Sequence, residues 1–151
     1  MPAKLLFVCS GNTCRSPLAQ AFARTLPPEC LDGWIVESAG LFVPHPSGAS
    51  PGAIAAAALY GLDLSGHTAR QLTSAMVTGS ELVLVMAAHH LTALKERFPQ
   101  FAAKIHTLKE FLGGEGNVAD PFGGDESVYR ATADELRQLT MQLAEKLRQR
   151  Q

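Results

Sequence analysis

Cys9 and Arg15 stand six positions apart in the stretch Val8-Cys9-Ser10-Gly11-Asn12-Thr13-Cys14-Arg15-Ser16-Pro17. A cysteine thiolate is a strong nucleophile, and arginine carries a planar fork that matches two oxygens of a phosphate. The residues between them suit a tight anion cradle. Gly11 and Asn12 tolerate the left-handed backbone that such a loop needs. The backbone N–H groups from Ser10 through Gly11, Asn12, Thr13 and Cys14 to Arg15 and Ser16 can then converge on one anion at the positive end of a following helix. The same field favours the thiolate form of Cys9, and Ser16 is placed to donate a hydrogen bond to it. Without context the Cys-x5-Arg spacing is a weak signal, because a buried strand cysteine and a surface arginine would produce it equally well.

A thiolate that displaces a phosphoryl group needs an acid for the departing atom and a base for the water of the second step. Asp120 is the candidate, in a Gly-rich loop before the last helix. Pro121 holds it in an extended conformation and so limits where its carboxyl points. Alone, Asp-Pro reads as an ordinary turn. Asp125, Glu126 and Asp134 read as first-turn or surface acids of that helix. Cys14 has two readings, a small space-filler under the loop or the partner in a reversible Cys9–Cys14 disulfide that shields the nucleophile from irreversible oxidation. Cys30 reads as structural. His45, His89, His90 and His106 have no evident partner, and no Cys/His/Asp spacing resembles a ligand set, so neither metal nor cofactor is expected.

The elements that must position these residues alternate. Lys4–Cys9 is a short continuous apolar run ended by turn residues, the pattern of a strand buried on both faces. A helix follows from Ser16, with Pro17 in its first turn and Leu18, Ala21, Phe22 and Leu26 on one face. Trp34–Glu37 reads as a second strand closed by Ser38-Ala39-Gly40. Residues 51–60 read as a helix stopped by Gly61. Glu81–Met86 is a third strand, followed by a helix over about 88–98. Ile105–Leu108 is a fourth strand, 113–124 a Gly-rich loop, and Glu126 to about Arg150 a long amphipathic helix. This order predicts an α/β fold, a three-layer sandwich with a four-stranded parallel sheet and helices on both faces, in one domain over residues 1–151. Ligands in such sheets bind beyond the carboxyl ends of the strands, where Cys9 sits.

Bulk properties narrow the class. With 46% hydrophobic and 18% charged residues the chain reads as a soluble globular protein. A formal net charge of -1 gives no global attraction to nucleic acid or anionic membrane, so neither is expected as a partner. The run Leu5-Leu6-Phe7-Val8 is too short for a signal core or a membrane span. Three cysteines without a disulfide-framework spacing point to the cytoplasm, and a monomer is expected.

The loop sequence resembles the signature of the low-molecular-weight protein phosphatases, historically called tyrosine phosphatases. Ser38-Ala39-Gly40, His67-Thr68-Ala69-Arg70-Gln71-Leu72 and Asp120-Pro121 also stand, in order, where that family carries similar elements. The resemblance implies a phosphotyrosine phosphatase I-like, Rossmann-like fold and hydrolysis through a phosphocysteine intermediate, with Asp120 as the acid. It also implies a hydrogen-bonded network of Asn12, Ser16, Ser38 and His67 behind the loop. Two positions bear on substrate. Phosphotyrosine enzymes of the family carry a bulky aliphatic residue at the position of Thr13 and an aromatic pair after Asp-Pro. Here Thr13 is polar and only Phe122 remains, before Gly123-Gly124. Both features are similar to the bacterial protein-arginine phosphatase branch, which makes protein phosphoarginine the favoured substrate and phosphotyrosine the alternative. An arsenate reductase shares such a loop but needs further cysteines to relay oxidising equivalents, and Glu81–His90 contains none. A non-catalytic phosphate-binding module would have no reason to keep Cys9 and Asp120 together.

Overall fold

The computed structural model describes residues 2–26 and 31–149, so Cys30 and the expected helix end at Arg150 lie outside the described residues. Among these, four parallel strands form one sheet: β1 (Ala3–Cys9), β2 (Trp34–Gly40), β3 (Leu82–Val85) and β4 (Ile105–Thr107), in the order β2-β1-β3-β4. The helices are α1 (Arg15–Arg24), α2 (Pro51–Ala58), α3 (Ser74–Gly79), α4 (Ala88–Arg97), α5 (Leu108–Phe111) and α6 (Glu126–Gln149), with a 3-10 turn over Pro99–Lys104.

The continuous apolar runs are strands because each side chain has a helical layer to enter. From β1, Leu5 and Phe7 pack with Leu18 and Phe22 of α1, Ala53 and Ala57 of α2, and Leu136 and Leu143 of α6. Leu6 and Val8 point the other way, to Val77 of α3 and to Leu94 and Phe98 beside α4. Every residue of β3 is buried, with alternate side chains in the two layers. Alternation on a sheet covered on both sides thus yields the three layers.

The second strand is longer than its sequence suggests. Ser38-Ala39-Gly40 reads as a stop, yet it continues β2 because the parallel register carries pairing through to Cys9 opposite Gly40. At the other edge β4 ends one residue early, since Leu108 starts the short α5, capped by the Thr107 side chain. The Gly61 stop is observed at φ 76°, just after α2.

Strand order fixes where the ligand crevice lies. The chain leaves central β1 for β2 on one side and later enters β3 on the other, so the crevice opens beyond the carboxyl ends of β1 and β3. Two contacts lock α6 to this end. The Tyr129 ring lies against the Cα of Gly52 on α2, leaving no room for a side chain there, and its hydroxyl reaches Cys14 Sγ at 3.7 Å.

Candidate active site

Helix α1 begins directly behind the loop, with Cys14 as its N-cap and no side chain bonded to its first amides. These N–H groups thus have no side-chain partner, the condition under which a helix N-terminus can receive an anion. Asn12 takes the left-handed conformation, at φ 57°; Gly11, expected to share it, does not. One αL residue is enough to turn the chain.

Asn12 is held on every polar atom of its side chain. Its Nδ2 donates to Ser16 Oγ at 2.8 Å and to Ser38 Oγ at 3.0 Å. Its Oδ1 accepts from the Arg70 backbone N–H at 2.9 Å. His67 Nε2 donates to the Asn12 carbonyl at 2.8 Å. Burial lowers the His67 pKa, with the bond to Asn12 acting against it and Arg70 and Arg24 adding to the lowering. The four residues expected behind the loop are thus assembled there. Arg70, absent from the expected set, joins them through its amide and through a guanidinium that donates to the Ser38 carbonyl.

In front of this scaffold the loop lines a cleft of about 250 Å³, walled by Cys9, Ser10, Gly11, Thr13, Cys14, Arg15, Asp120 and Phe122. Cys9 Sγ and Ser16 Oγ are 2.9 Å apart, the contact expected from the sequence. Arg15 is buried, with Nη1 donating to the Val118 carbonyl at 3.0 Å and Nη2 lying 3.6 Å from Asp120 Oδ2. Its Nε is a buried atom without a partner within the protein. Arg15 lines the cleft, and its Nε–Nη2 edge, not engaged with the Val118 carbonyl, can make a two-point fork with an oxyanion.

Asp120 reaches the cleft from the loop after α5. Val118 anchors that loop: its N–H donates to the Met86 carbonyl at 2.8 Å, and its carbonyl holds Arg15. Asn117 Oδ1 accepts from the Ala88 amide at the start of α4. Beyond Val118 the segment opens around a buried Pro121, with Asp120 half exposed and Phe122 75% exposed. The Phe122 amide donates to Asp120 Oδ1 at 3.1 Å, so each carboxylate oxygen has a partner.

Cys14 also borders the cleft, but its sulfur turns to Ser50 Oγ at 3.1 Å and to Tyr129. Cys9 and Cys14 are both free thiols. His90, which has no evident partner in the sequence, has two here. The Ala87 amide donates to its Nδ1 at 3.1 Å, and its Nε2 lies 2.9 Å from Ser10 Oγ. The signal for it was positional: a histidine three residues after the N-cap of the helix that follows β3, the strand flanking the crevice. Among the described residues no group of His, Cys, Asp and Glu is arranged to hold a metal ion, and no helix is long and apolar enough to cross a membrane.

The family described as low molecular weight phosphotyrosine protein phosphatase matches residues 4–151. A protein-arginine-phosphatase of Geobacillus stearothermophilus is 43% identical over 152 residues, covering 100% of both chains. The solved structure of the YwlE arginine phosphatase from that organism superposes with a TM-score of 0.92 at 42% identity, over 99% of this chain and 96% of the other. A low molecular weight protein tyrosine phosphatase from T. tengcongensis superposes with a TM-score of 0.90, also at 42% identity, over 95% of this chain and 99% of the other.

Proposed function

The chain belongs to the low molecular weight phosphotyrosine protein phosphatase family, and we propose that within it the enzyme hydrolyses phosphoarginine in proteins. The observation that carries this reading is the wall of the cleft at Thr13. Thr13 lines the cleft, and its hydroxyl, whose side-chain contact is a long one to Cys14 Sγ at 3.7 Å, offers a polar group to which a guanidinium can hydrogen-bond where a phenyl ring presents only carbon. Phe122 is the sole aromatic residue of the acid loop at the rim, enough to cover a slender side chain but not to clasp a ring from both sides. The full-length likeness to a protein named an arginine phosphatase supports the same reading.

The proposed roles follow from the contacts. The phosphoryl group is received by the amides from Ser10 to Ser16 and by the Nε–Nη2 edge of Arg15. Its charge competes with Asp120 for that guanidinium. Cys9 Sγ attacks phosphorus in line, forming the S–P bond as the P–N bond breaks. The electron pair of that bond goes to nitrogen, which takes a proton from Asp120. In the second step Asp120 removes a proton from water, whose oxygen attacks phosphorus, and the S–P electron pair returns to Cys9 as inorganic phosphate leaves. Ser16 donates to the thiolate whenever it is free. The preorganised donors need no rearrangement as charge develops, the main advantage of a fixed cradle. Cys14, a free thiol on the same cleft, is the proposed redox partner of Cys9. Free thiols at the site fit an enzyme of the cytoplasm.

The near-equal identity to a tyrosine phosphatase structure favours phosphotyrosine as the second reading. The test compares kcat/KM for peptides carrying phosphoarginine and phosphotyrosine in the same sequence. The arginine reading expects a clear preference for phosphoarginine; a preference for phosphotyrosine overturns it and leaves the phosphatase assignment standing.

A further inference from the structure

Ser10 and His90 form a pair that the steps above leave unused. Ser10 is the first residue of the cradle after Cys9 and lines the cleft. His90 is completely buried on α4, in the layer behind it. Their atoms meet across the crevice between the ends of β1 and β3, with Ser10 Oγ 2.9 Å from His90 Nε2.

The other ring nitrogen decides the direction of this bond. A backbone amide can only donate, so the Ala87 N–H fixes Nδ1 of His90 as an acceptor. A neutral imidazole with an accepting Nδ1 carries its hydrogen on Nε2. Burial keeps His90 neutral, its pKa lowered to about 4, with Arg15 and His89 acting the same way and Asp120 against them. Nε2–H therefore donates to Ser10 Oγ, and the Ser10 hydroxyl hydrogen must point elsewhere. The acceptors the cleft can offer are Cys9 Sγ, the Asp120 carboxylate and the oxyanion that the cradle would receive. Cys9 Sγ already meets Ser16 Oγ, and the Asp120 oxygens face the Phe122 amide and Arg15. A bound oxyanion, with three oxygens to satisfy, has the most need of a further donor.

We propose that His90 is a positioning residue: by donating to Ser10 Oγ it turns the Ser10 hydroxyl hydrogen into the cleft, where it bonds a phosphoryl oxygen. Donation into an oxygen also strengthens the bond that oxygen's own hydrogen makes, so His90 sharpens Ser10 as well as aiming it. This rests on reading the loop from Cys9 to Arg15 as a phosphate cradle.

The experiment measures affinity for inorganic phosphate by calorimetry, and kcat/KM for para-nitrophenyl phosphate, in the parent, S10A, H90N, H90Q and S10A/H90N. H90N keeps an oxygen near Nδ1 to cap Ala87 but cannot reach Ser10. H90Q carries an N–H near the position of Nε2. S10A and H90N should each weaken phosphate binding roughly tenfold, as expected for a lost hydrogen bond to a charged group. The double variant should be no weaker than the worse single one, and H90Q should recover most of the loss. Parent-like affinity in S10A, or losses that multiply to about a hundredfold in the double variant, overturns the proposal. So does a shifted alkaline limb of kcat/KM with phosphate affinity unchanged, which would place Ser10 on Asp120. Should H90N fail to fold, S10A and H90Q carry the same test. A parent that binds phosphate without turnover defeats the phosphatase reading alone, and the coupling in phosphate affinity still decides the role of His90. A parent that binds no phosphate defeats both.

Discussion

Arg15 divides its guanidinium between the fold and the acid loop, with Nη1 on the Val118 carbonyl, Nη2 beside Asp120 and Nε without a partner within the protein. Because Val118 stands two residues before Asp120, the same side chain sets the distance between cradle and acid. Asp120→Asn should leave that geometry intact while removing the proton. Turnover should then fall by two or more orders of magnitude for leaving groups of high pKa and far less for activated phenols, a range typical of lost general acids. Equal losses across a series of aryl phosphates would remove Asp120 from that role. Thr13→Ile should move preference from phosphoarginine toward phosphotyrosine by up to a couple of orders of magnitude, because a site that hydrogen-bonds its substrate discriminates more than one that merely fits it. If both variants prefer phosphoarginine equally, the substrate stands and the explanation through Thr13 does not. At this scale the sequence was most legible where chemistry is local. Cys9, Arg15 and Ser16 lie within one turn of chain, and their contacts follow from the loop. Ser10–His90 joins residues eighty positions apart and depends on β3 lying beside β1, which residue spacing does not reveal.

The elements were readable wherever a run was long enough to show a period. The β1 and β3 cores, α1 and α6 stand close to where their apolar patterns put them. The misses are short. α3, with six residues, and α5, with four, offer too few turns for periodicity, and each owes its start to a threonine side chain, Thr73 or Thr107. The end of β2 was missed for another reason: Ser-Ala-Gly is a turn by composition, and only the pairing with β1 keeps it extended. Gly40 there has a steric duty. A Cβ on it would lie 2.9 Å from the Asn12 nitrogen, 2.9 Å from the Gly11 carbonyl carbon and 2.8 Å from Val43 Cγ2. Two of those atoms are the cradle's own backbone, so Gly40→Ala should shift the loop. We expect kcat/KM lowered at least tenfold and stability lowered by about 1–3 kcal/mol, the usual range for overpacking. Parent-like kinetics in G40A would mean that the loop tolerates the displacement.

At the scale of the whole molecule, the buried His90 and the half-buried His67 tie stability to pH. His90 has a pKa of about 4 when folded, against the usual 6.5. Between these values the unfolded chain binds a proton that the folded chain refuses. The stability this contributes is complete above pH 6.5 and is lost as pH falls toward 4. Integrated from pH 7 to 4.5, the loss from His90 is about 2 kcal/mol. His67, also lowered, adds to it with the same sign. Urea unfolding at the two pH values should show a smaller difference in H90N than in the parent; equal differences would mean that His90 does not remain neutral in the folded state.

The seat of Tyr129 against Gly52 and Cys14 has a consequence for the order in which the protein is made. Ribosomes add about 5–20 residues per second, so Cys9 is translated on the order of ten seconds before Tyr129. During that interval the sheet's first strand and its thiol exist without the helix that closes the layer over them. A nascent chain that stops short of α6 should therefore bind no phosphate, and its thiols should react with an alkylating reagent at the rate of unstructured cysteine. On that expectation the loop from Cys9 to Arg15, among the first segments to be synthesised, acquires its shape only once α6 is complete.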